Sequence, residues 1–138
     1  MTVPSPTLIY RLTHVDNIPW ILTNGLHCVN SGVKDPHFVA IGNPDLIEKR
    51  STRSVPIPPG GVLDDYVPFY FCTHSLMLYN VHTGYNVKQA HQSQIAYLVC
   101  SVEQVQQCDC GFVFTDRHAY PRNAVYSTNP QDLGVCRT

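Results

Sequence analysis

The segment from Ile9 to Leu26, IYRLTHVDNIPWILTNGL, predicts a β-strand that runs directly into a helix. At the start of the segment, apolar residues alternate with polar or smaller ones, which is the two-residue period of a half-buried strand. The apolar positions of this alternation are Leu8, Tyr10 and Leu12. A strand joined so closely to a helix indicates a fold that mixes both kinds of element.

The predicted helix carries recognisable signals at both ends. Asp16 or Asn17 can cap its start, and Pro19 falls in its first turn. Gly25 is placed to end it. Three apolar residues share one face of this helix: Ile18, Ile21 and Leu22. His14 lies at the join, where it either faces a ligand at the strand end or only helps to form the turn.

Three later segments also predict strands. YVPFYFC and QIAYLVC are dense in aromatic and β-branched residues, as buried strands are, and GFVFT predicts a shorter one. A length of 138 residues suits one domain with a single hydrophobic core. We therefore expect an α+β fold with short helices.

Composition excludes several classes of function. The chain is 43% hydrophobic and 14% charged, which is typical of a globular protein. The net charge is −1 and the basic residues form no run, so nucleic-acid binding through bulk charge is not indicated. No apolar stretch approaches membrane-spanning length, and the opening MTVPSPTL lacks a signal-peptide pattern. We expect a cytoplasmic protein with no membrane partner.

The six cysteines are expected to be free thiols, because the sequence shows no signal peptide. Cys108 and Cys110 form a C-x-C pair, and His118 follows, but no second pair completes a metal-binding pattern. The sequence therefore predicts no metal site.

A long region rich in proline and glycine, NSGVKDPHFVAIGNPDLIEKRSTRSVPIPPGGVLDD, separates the first helix from YVPFYFC. Such long connections are usually functional or disordered. Within it, NPDLIEKR predicts a short helix that Asn43 caps, that begins at Pro44, and that ends near Lys49 and Arg50. Arg50 can either serve the helix dipole or bind an anion, and the sequence leaves both roles open.

Polar groups thus lie at the ends of three predicted elements. They are His14, Arg50 and the cluster in FTDRHAY, which contains Asp116, Arg117, His118 and Tyr120. Taken from the residues alone, this pattern predicts a cleft lined by histidine and arginine that binds an anionic ligand.

Four segments, in this order, resemble the DarT family of DNA ADP-ribosyltransferase toxins: LTHVDNIPWILTNGL, IGNPDLIEKR, GGVLDDYVPFYF and FVFTDRHAY. The resemblance extends from about Tyr10 to Tyr126. It implies one domain over residues 1–138, with an ADP-ribosyltransferase-like split β-sandwich and short flanking helices. It also implies an enzyme that uses NAD as co-substrate to ADP-ribosylate thymine or guanine in single-stranded DNA. A macrodomain antitoxin is the partner that the family implies, within a toxin–antitoxin system.

The resemblance also implies roles for individual residues. The backbone around Leu12 and Thr13 would pair with the nicotinamide amide, and His14 would hydrogen-bond a ribose of NAD. Arg50 would reach the NAD phosphates and the reacting base, and would help to remove a proton from it. A guanidinium holds its proton strongly, so arginine is a poor base in water.

By the same resemblance, the segment SLMLYN would contact DNA. Its residues are Ser75, Leu76, Met77, Leu78, Tyr79 and Asn80. Apolar and aromatic surface there would stack an unpaired base without needing a basic field. The alternative is an amphipathic turn whose Leu76 and Met77 pack inward.

One expected residue has no match. The family uses a glutamate, on a strand downstream of the FTD block, to stabilise the positive charge that develops on the ribose. The glutamates of this chain are Glu48 and Glu103, and neither matches that position. We therefore expect a C-terminally truncated and inactive member of the family, with a non-catalytic NAD- or DNA-binding module as the alternative.

Overall fold

A computed structural model describes residues 6–41, 44–71, 92–108, 110–115 and 124–129. Four strands lie within these ranges: β1 (Leu8–His14), β2 (Ile95–Ser101), β3 (Phe114–Thr115) and β4 (Tyr126–Ser127). Three α-helices accompany them: α1 (Ile18–Asn24), α2 (Pro44–Lys49) and α3 (Val102–Gln107). Short 3₁₀ turns cover Val15–Asn17, Val29–Ser31, Leu63–Asp65 and Gln92–Gln94. The expected α+β class is confirmed.

Strand β1 is bonded along both of its edges. It pairs antiparallel with β2 over its whole length, from Leu8 opposite Ser101 to His14 opposite Ile95. On its other edge, Tyr10 exchanges two backbone hydrogen bonds with Tyr70, each of 2.7 Å. Strands β3 and β4 form a separate antiparallel pair within the described residues.

The core lies where α3 returns to the start of β1. Ile9, Val102 and Phe114 are buried together, and Phe112 packs on Phe114 with ring centroids 5.2 Å apart. The backbone N–H of Val102 donates to the carbonyl of Thr7 at 2.9 Å. This contact places α3 over Ile9, the residue that begins the buried face of β1.

The alternation predicted for β1 is therefore wrong at its start. Leu8 is exposed and Ile9 is buried, because α3 and Phe114 cover the face on which Ile9 lies. Farther along, Leu12, Thr13 and His14 are all buried in succession. The second half of β1 is thus covered on both faces, which a two-residue period does not reveal.

The predicted helix forms, but with a different cap. His14 caps the 3₁₀ turn that precedes α1, and Asn17 at the start of α1 makes no capping bond with its side chain. Gly25 ends α1 as predicted, with a φ of 85° and its N–H bonded to Ile21. The predicted apolar face is not buried, since no residue of α1 is buried and Leu22 is 80% exposed.

The strand predictions have mixed outcomes. QIAYLVC forms β2 and GFVFT contributes the short β3. The described part of YVPFYFC forms no continuous strand, and its ladder contact is the single bridge from Tyr70 to Tyr10. Pro68 has no N–H to donate to a ladder, which agrees with this irregular path. Helix α2 begins at Pro44 as predicted, and Asn43 lies outside the described residues.

Four of the six cysteines are described, and all four are free thiols: Cys28, Cys100, Cys108 and Cys110. In the described ranges, no three His, Cys, Asp or Glu side chains lie close enough to hold a metal ion. None of the helices within those ranges has the length and apolar character needed to cross a membrane.

Asn17 is the side chain that fixes the loop before α2 to the end of β1. It is 1% exposed, and its amide donates to Thr13 Oγ1 at 3.1 Å and to the Val39 carbonyl at 2.8 Å. Its Oδ1 accepts from the Val39 N–H at 2.9 Å. Because both backbone groups of Val39 depend on one amide, Asn17 has no equivalent substitute.

We predict that Asn17→Ala lowers the free energy of unfolding by about 2–4 kcal/mol, because it leaves partly buried backbone groups of Val39 unpaired. Urea denaturation measures this change. Asn24→Ala is the matched control, since Asn24 is exposed and its side-chain amide donates to the Trp20 carbonyl of its own helix. Equal effects of the two substitutions would contradict the role given to Asn17.

Candidate functional site

His14 is held at the end of β1 by its own turn. Its ring is buried, and Nδ1 accepts a hydrogen bond from the Asp16 N–H at 3.1 Å. The Asp16 carboxylate lies 3.6 Å from the same nitrogen, which is too long for a hydrogen bond. Since Nδ1 acts as an acceptor, the neutral ring carries its proton on Nε2. Within the described residues Nε2 has no partner, so His14 presents a donor.

The backbone beside His14 also has an unpaired edge. In an antiparallel pair, successive residues direct their backbone groups to opposite edges. Tyr10 bonds Tyr70 on the edge away from β2, so Leu12 directs its N–H and C=O to that same edge. Thr13 instead faces Ala96 in β2. Among the described residues nothing bonds the backbone of Leu12 on its outer edge.

Arg50, just after α2, is oriented by backbone carbonyls. Its Nη2 donates to Leu63 at 2.8 Å and to Tyr66 at 3.4 Å. Its Nε lies 3.7 Å from Oδ1 of Asp64, and both side chains are largely buried, at 16% and 7% exposure. These contacts occupy one side of the guanidinium. The described residues provide no partner for Nη1, so two N–H donors remain available.

Burial lowers the pKa of Arg50, and the charge of Asp64 opposes this shift. Asp64 Oδ1 is itself buried without a hydrogen bond among the described residues. The pair is therefore an ion pair without tight hydrogen bonding, and it leaves part of the positive charge of Arg50 uncompensated. Such an arrangement suits the binding of an anion.

Arg11 and two tyrosines complete the site. Arg11, in the middle of β1, donates from Nη1 to the Pro68 carbonyl at 3.2 Å. Burial raises the pKa of Tyr70, and the charges of Arg50 and Arg11 oppose the shift, so Tyr70 lies near both. Burial likewise raises the pKa of Tyr126, opposed by Arg53 and then Arg50. We name Arg11, Arg50, Asp64, Tyr70 and Tyr126 the arginine cluster.

A second set of contacts fixes the turn on which Arg50 rests. Asp65 accepts from the Val62 N–H at 2.8 Å and from Nδ2 of Asn30 at 2.9 Å. These two hydrogen bonds, in that order, lower the pKa of Asp65. The turn carrying the Leu63 and Tyr66 carbonyls is thereby joined to the 3₁₀ turn at Val29–Ser31.

The structure brings together some of the predicted site residues. Leu12, Thr13 and His14 lie consecutively on β1, and the segment that orients Arg50 reaches β1 through the Tyr10–Tyr70 bridge. The segment expected to contact DNA, Ser75–Asn80, lies outside the described residues. So do the residues of the FTDRHAY cluster: Asp116, Arg117, His118 and Tyr120.

Sequence reasoning missed Arg11, Asp64, Tyr70 and Tyr126. A signal existed for Arg11, which is a charged residue within an otherwise apolar strand, where an uncompensated charge needs a reason. The proximity of the others to Arg50 depends on the path of the loop, which local patterns do not show.

Neither glutamate adjoins this site by its described contacts. Glu48 is exposed on α2. Glu103, expected on a surface helix, does lie on α3, but its carboxylate accepts from the Thr7 N–H at 3.1 and 3.3 Å. Glu103 therefore secures the start of β1.

Comparison with known proteins identifies the class. The family model "ssDNA thymidine ADP-ribosyltransferase, DarT" matches residues 10–136. A DNA ADP-ribosyl transferase of Escherichia coli is 48% identical over 131 residues, which are 94% of this chain and 60% of that protein. One from Thermus sp. is 41% identical over 132 residues, 96% of this chain and 63% of that protein.

The solved structures agree with the family match. Thermus sp. 2.9 DarT in complex with ADP-ribosylated single-stranded DNA superposes with a TM-score of 0.87 at 41% identity, covering 97% of this chain and 64% of that one. The same protein in complex with NAD⁺ gives 0.83 at 40% identity, covering 96% and 63%. The chain belongs to the DarT family. It spans less than two thirds of the length of these relatives.

The lowered pKa of Asp65 predicts a pH-dependent stability. A carboxylate whose folded pKa lies below its ordinary value of 3.8 stabilises the fold above that value, and the contribution is lost as pH falls through the folded pKa. The free energy of unfolding of the parent should therefore exceed that of Asp65→Asn at about pH 6, and the difference should shrink toward about pH 2.

Denaturation of both proteins across this pH range tests the prediction. Asn30→Ala, which removes the second cause of the shift, should show a smaller pH dependence than the parent. A parent-to-variant difference that stays constant with pH would rule out the assigned role of Asp65.

Proposed function

We propose that this chain forms the NAD-binding part of a DNA ADP-ribosyltransferase with the split β-sandwich architecture of that fold, within a single domain over residues 1–138. The observation that carries the proposal is that two hydrogen-bond donors are held in fixed orientations. His14 and Arg50 are each held by contacts within the chain, and each keeps an N–H edge that no described residue occupies. Support comes from Thermus sp. 2.9 DarT, which has been solved with NAD⁺ and with carba-NAD⁺.

The residues would share the ligand as follows. Leu12 offers its outward backbone groups to the nicotinamide amide, beside Thr13, whose backbone serves the β1–β2 ladder. His14 donates from Nε2 to a ribose hydroxyl. Arg50 binds phosphate oxygens with Nη1, because a guanidinium fork matches their geometry. Each group is positioned before the ligand arrives, so less ordering is needed on binding.

The reaction proposed is transfer of ADP-ribose to thymine or guanine in single-stranded DNA. The bond between nicotinamide and ribose breaks through an oxocarbenium-like state, in which positive charge develops on the sugar. Arg50 would also contact the reacting base as the candidate catalytic residue. Residues Ser75–Asn80 would stack the unpaired base. The ADP-ribosylated single-stranded DNA in the complex with the Thermus protein supports this substrate class.

The biological setting follows from the family resemblance. We propose that the protein is the toxin of a toxin–antitoxin system, acts in the cytoplasm, and is opposed by a macrodomain antitoxin that removes the modification. A non-catalytic NAD- or DNA-binding module is the second candidate. It is favoured by the positions of Glu48 and Glu103, neither of which is held beside His14 or Arg50 in the described residues.

We predict that His14→Ala and Arg50→Ala each weaken NAD binding by about 1.5–3 kcal/mol, the contribution of a hydrogen bond to a charged or strongly polar partner. Titration calorimetry of the 138-residue chain measures the affinity. Lys34→Ala is the control, since Lys34 is exposed and no described ion pair joins it to the arginine cluster. If both site variants bound NAD as the parent does, the proposed cleft would be wrong.

A second prediction concerns turnover. With NAD and single-stranded oligonucleotides, the 138-residue chain should give little or no modified DNA, because neither of its glutamates matches the residue that stabilises the developing charge. Loss of one such group typically costs on the order of 10²–10³ in rate.

Mass measurement of thymine-only and guanine-only strands detects the product. A protein extended to the full length of the Thermus relative by that relative's C-terminal residues is the positive control. Robust modification by the 138-residue chain would show that a carboxylate within it performs the work, and Asp116→Asn would then be the first variant to examine.

A further inference from the structure

Arg11 lacks the charge compensation that a half-buried arginine normally has. Within the described residues its partner is the Pro68 carbonyl, at 3.2 Å from Nη1, and no carboxylate forms an ion pair with it. A guanidinium has five N–H donors, so most of those on Arg11 have no partner in the described part of the chain. Burial lowers the pKa of Arg11, and the charge of Arg50 lowers it further.

Arg11 and Arg50 are both anchored to one segment, through different carbonyls. Arg50 donates to the carbonyls of Leu63 and Tyr66, and Arg11 donates to that of Pro68, two residues farther on. Tyr70 then joins this segment to β1. Two like charges are thus directed at one short stretch of backbone by independent contacts, so their closeness is built into the fold.

The charges near these arginines do not balance. Among the described residues Asp64 is the carboxylate paired with either of them, and its nearest atom lies 3.7 Å from Arg50. Within the described part of the chain, these two guanidinium groups and one carboxylate sum to a net positive charge, and like charges in a partly buried place repel each other. A bound anion removes this repulsion and makes charge-assisted hydrogen bonds with both groups.

We propose that Arg11 and Arg50 together form a subsite for the diphosphate of a dinucleotide, with one guanidinium on each phosphate. This inference rests on the proposed function and assigns Arg11 a binding role in it. A diphosphate carries negative charge on two adjacent phosphates, which suits two neighbouring guanidinium groups. In a DNA strand a sugar separates consecutive phosphates, so their two charges lie farther apart than those of a diphosphate.

The experiment compares ligands with and without the diphosphate. Binding of NAD, inorganic pyrophosphate and nicotinamide riboside to the 138-residue chain is measured by calorimetry for the parent, Arg11→Gln and Arg11→Lys. Lys34→Gln is the matched control, because it removes one positive charge from an exposed position that no described ion pair joins to the cluster. Thermal unfolding of each variant confirms that it is folded.

Arg11→Gln should weaken NAD and pyrophosphate binding by about tenfold or more, as expected for a lost charge-assisted contact, and leave riboside binding unchanged. Arg11→Lys should recover part of the loss. Lys34→Gln should match the parent.

Each other outcome overturns the assignment. If Arg50→Ala loses NAD affinity while Arg11→Gln does not, the Arg11 subsite is wrong and the proposed function stands. Equal losses for NAD and the riboside would show a role in structure alone. A loss confined to single-stranded DNA would assign Arg11 to the nucleic acid. If the parent binds no NAD, both the subsite and the proposed function fail.

Discussion

The antiparallel pairing of β1 with β2 is the interaction on which the other parts of the site depend. It fixes a seven-residue strand whose alternate residues present their backbone groups to opposite edges. One edge is used by β2. The other is used by Tyr70 at the start of the strand and by no described residue at Leu12. The donors proposed to bind the cofactor lie on this strand or on the segment that Tyr70 joins to it.

Two structural features make that edge a candidate binding site. The end of β1 continues into a 3₁₀ turn that His14 caps with one ring nitrogen, which leaves the other nitrogen as a directed donor. The loop after α2 returns to β1 through Tyr70, and its carbonyls orient Arg50 on the way. Asn17 and Asp65 hold the two loop segments that these features require. Hydrogen bonds therefore hold the loops that border the candidate site.

The sequence predicted helix ends and strands correctly where neighbouring residues determine the backbone conformation. The start of α2 at Pro44, the end of α1 at Gly25 and the strand QIAYLVC follow from backbone preferences that neighbouring residues determine. The prediction of which face of β1 is buried was wrong, because Val102 at the start of α3, far along the chain, packs on Ile9. The ends of predicted elements already singled out His14 and Arg50, and the resemblance to a family implied their roles. The ion pair of Arg50 with Asp64 and its closeness to Tyr70 depend on loop closure, which no short pattern encodes.

The anchoring of Arg50 by main-chain carbonyls has an evolutionary consequence. Its Nη2 contacts the peptide oxygens of Leu63 and Tyr66, and those oxygens are present whatever side chains occupy these positions. Drift at either position can leave the orientation of the guanidinium intact as long as the turn keeps its path. Substitution is instead restricted at the residues that determine the path of the turn, among them Gly61, with a φ of 77°, and Asp65. The orientation of this guanidinium can therefore persist in a relative whose surrounding side chains differ.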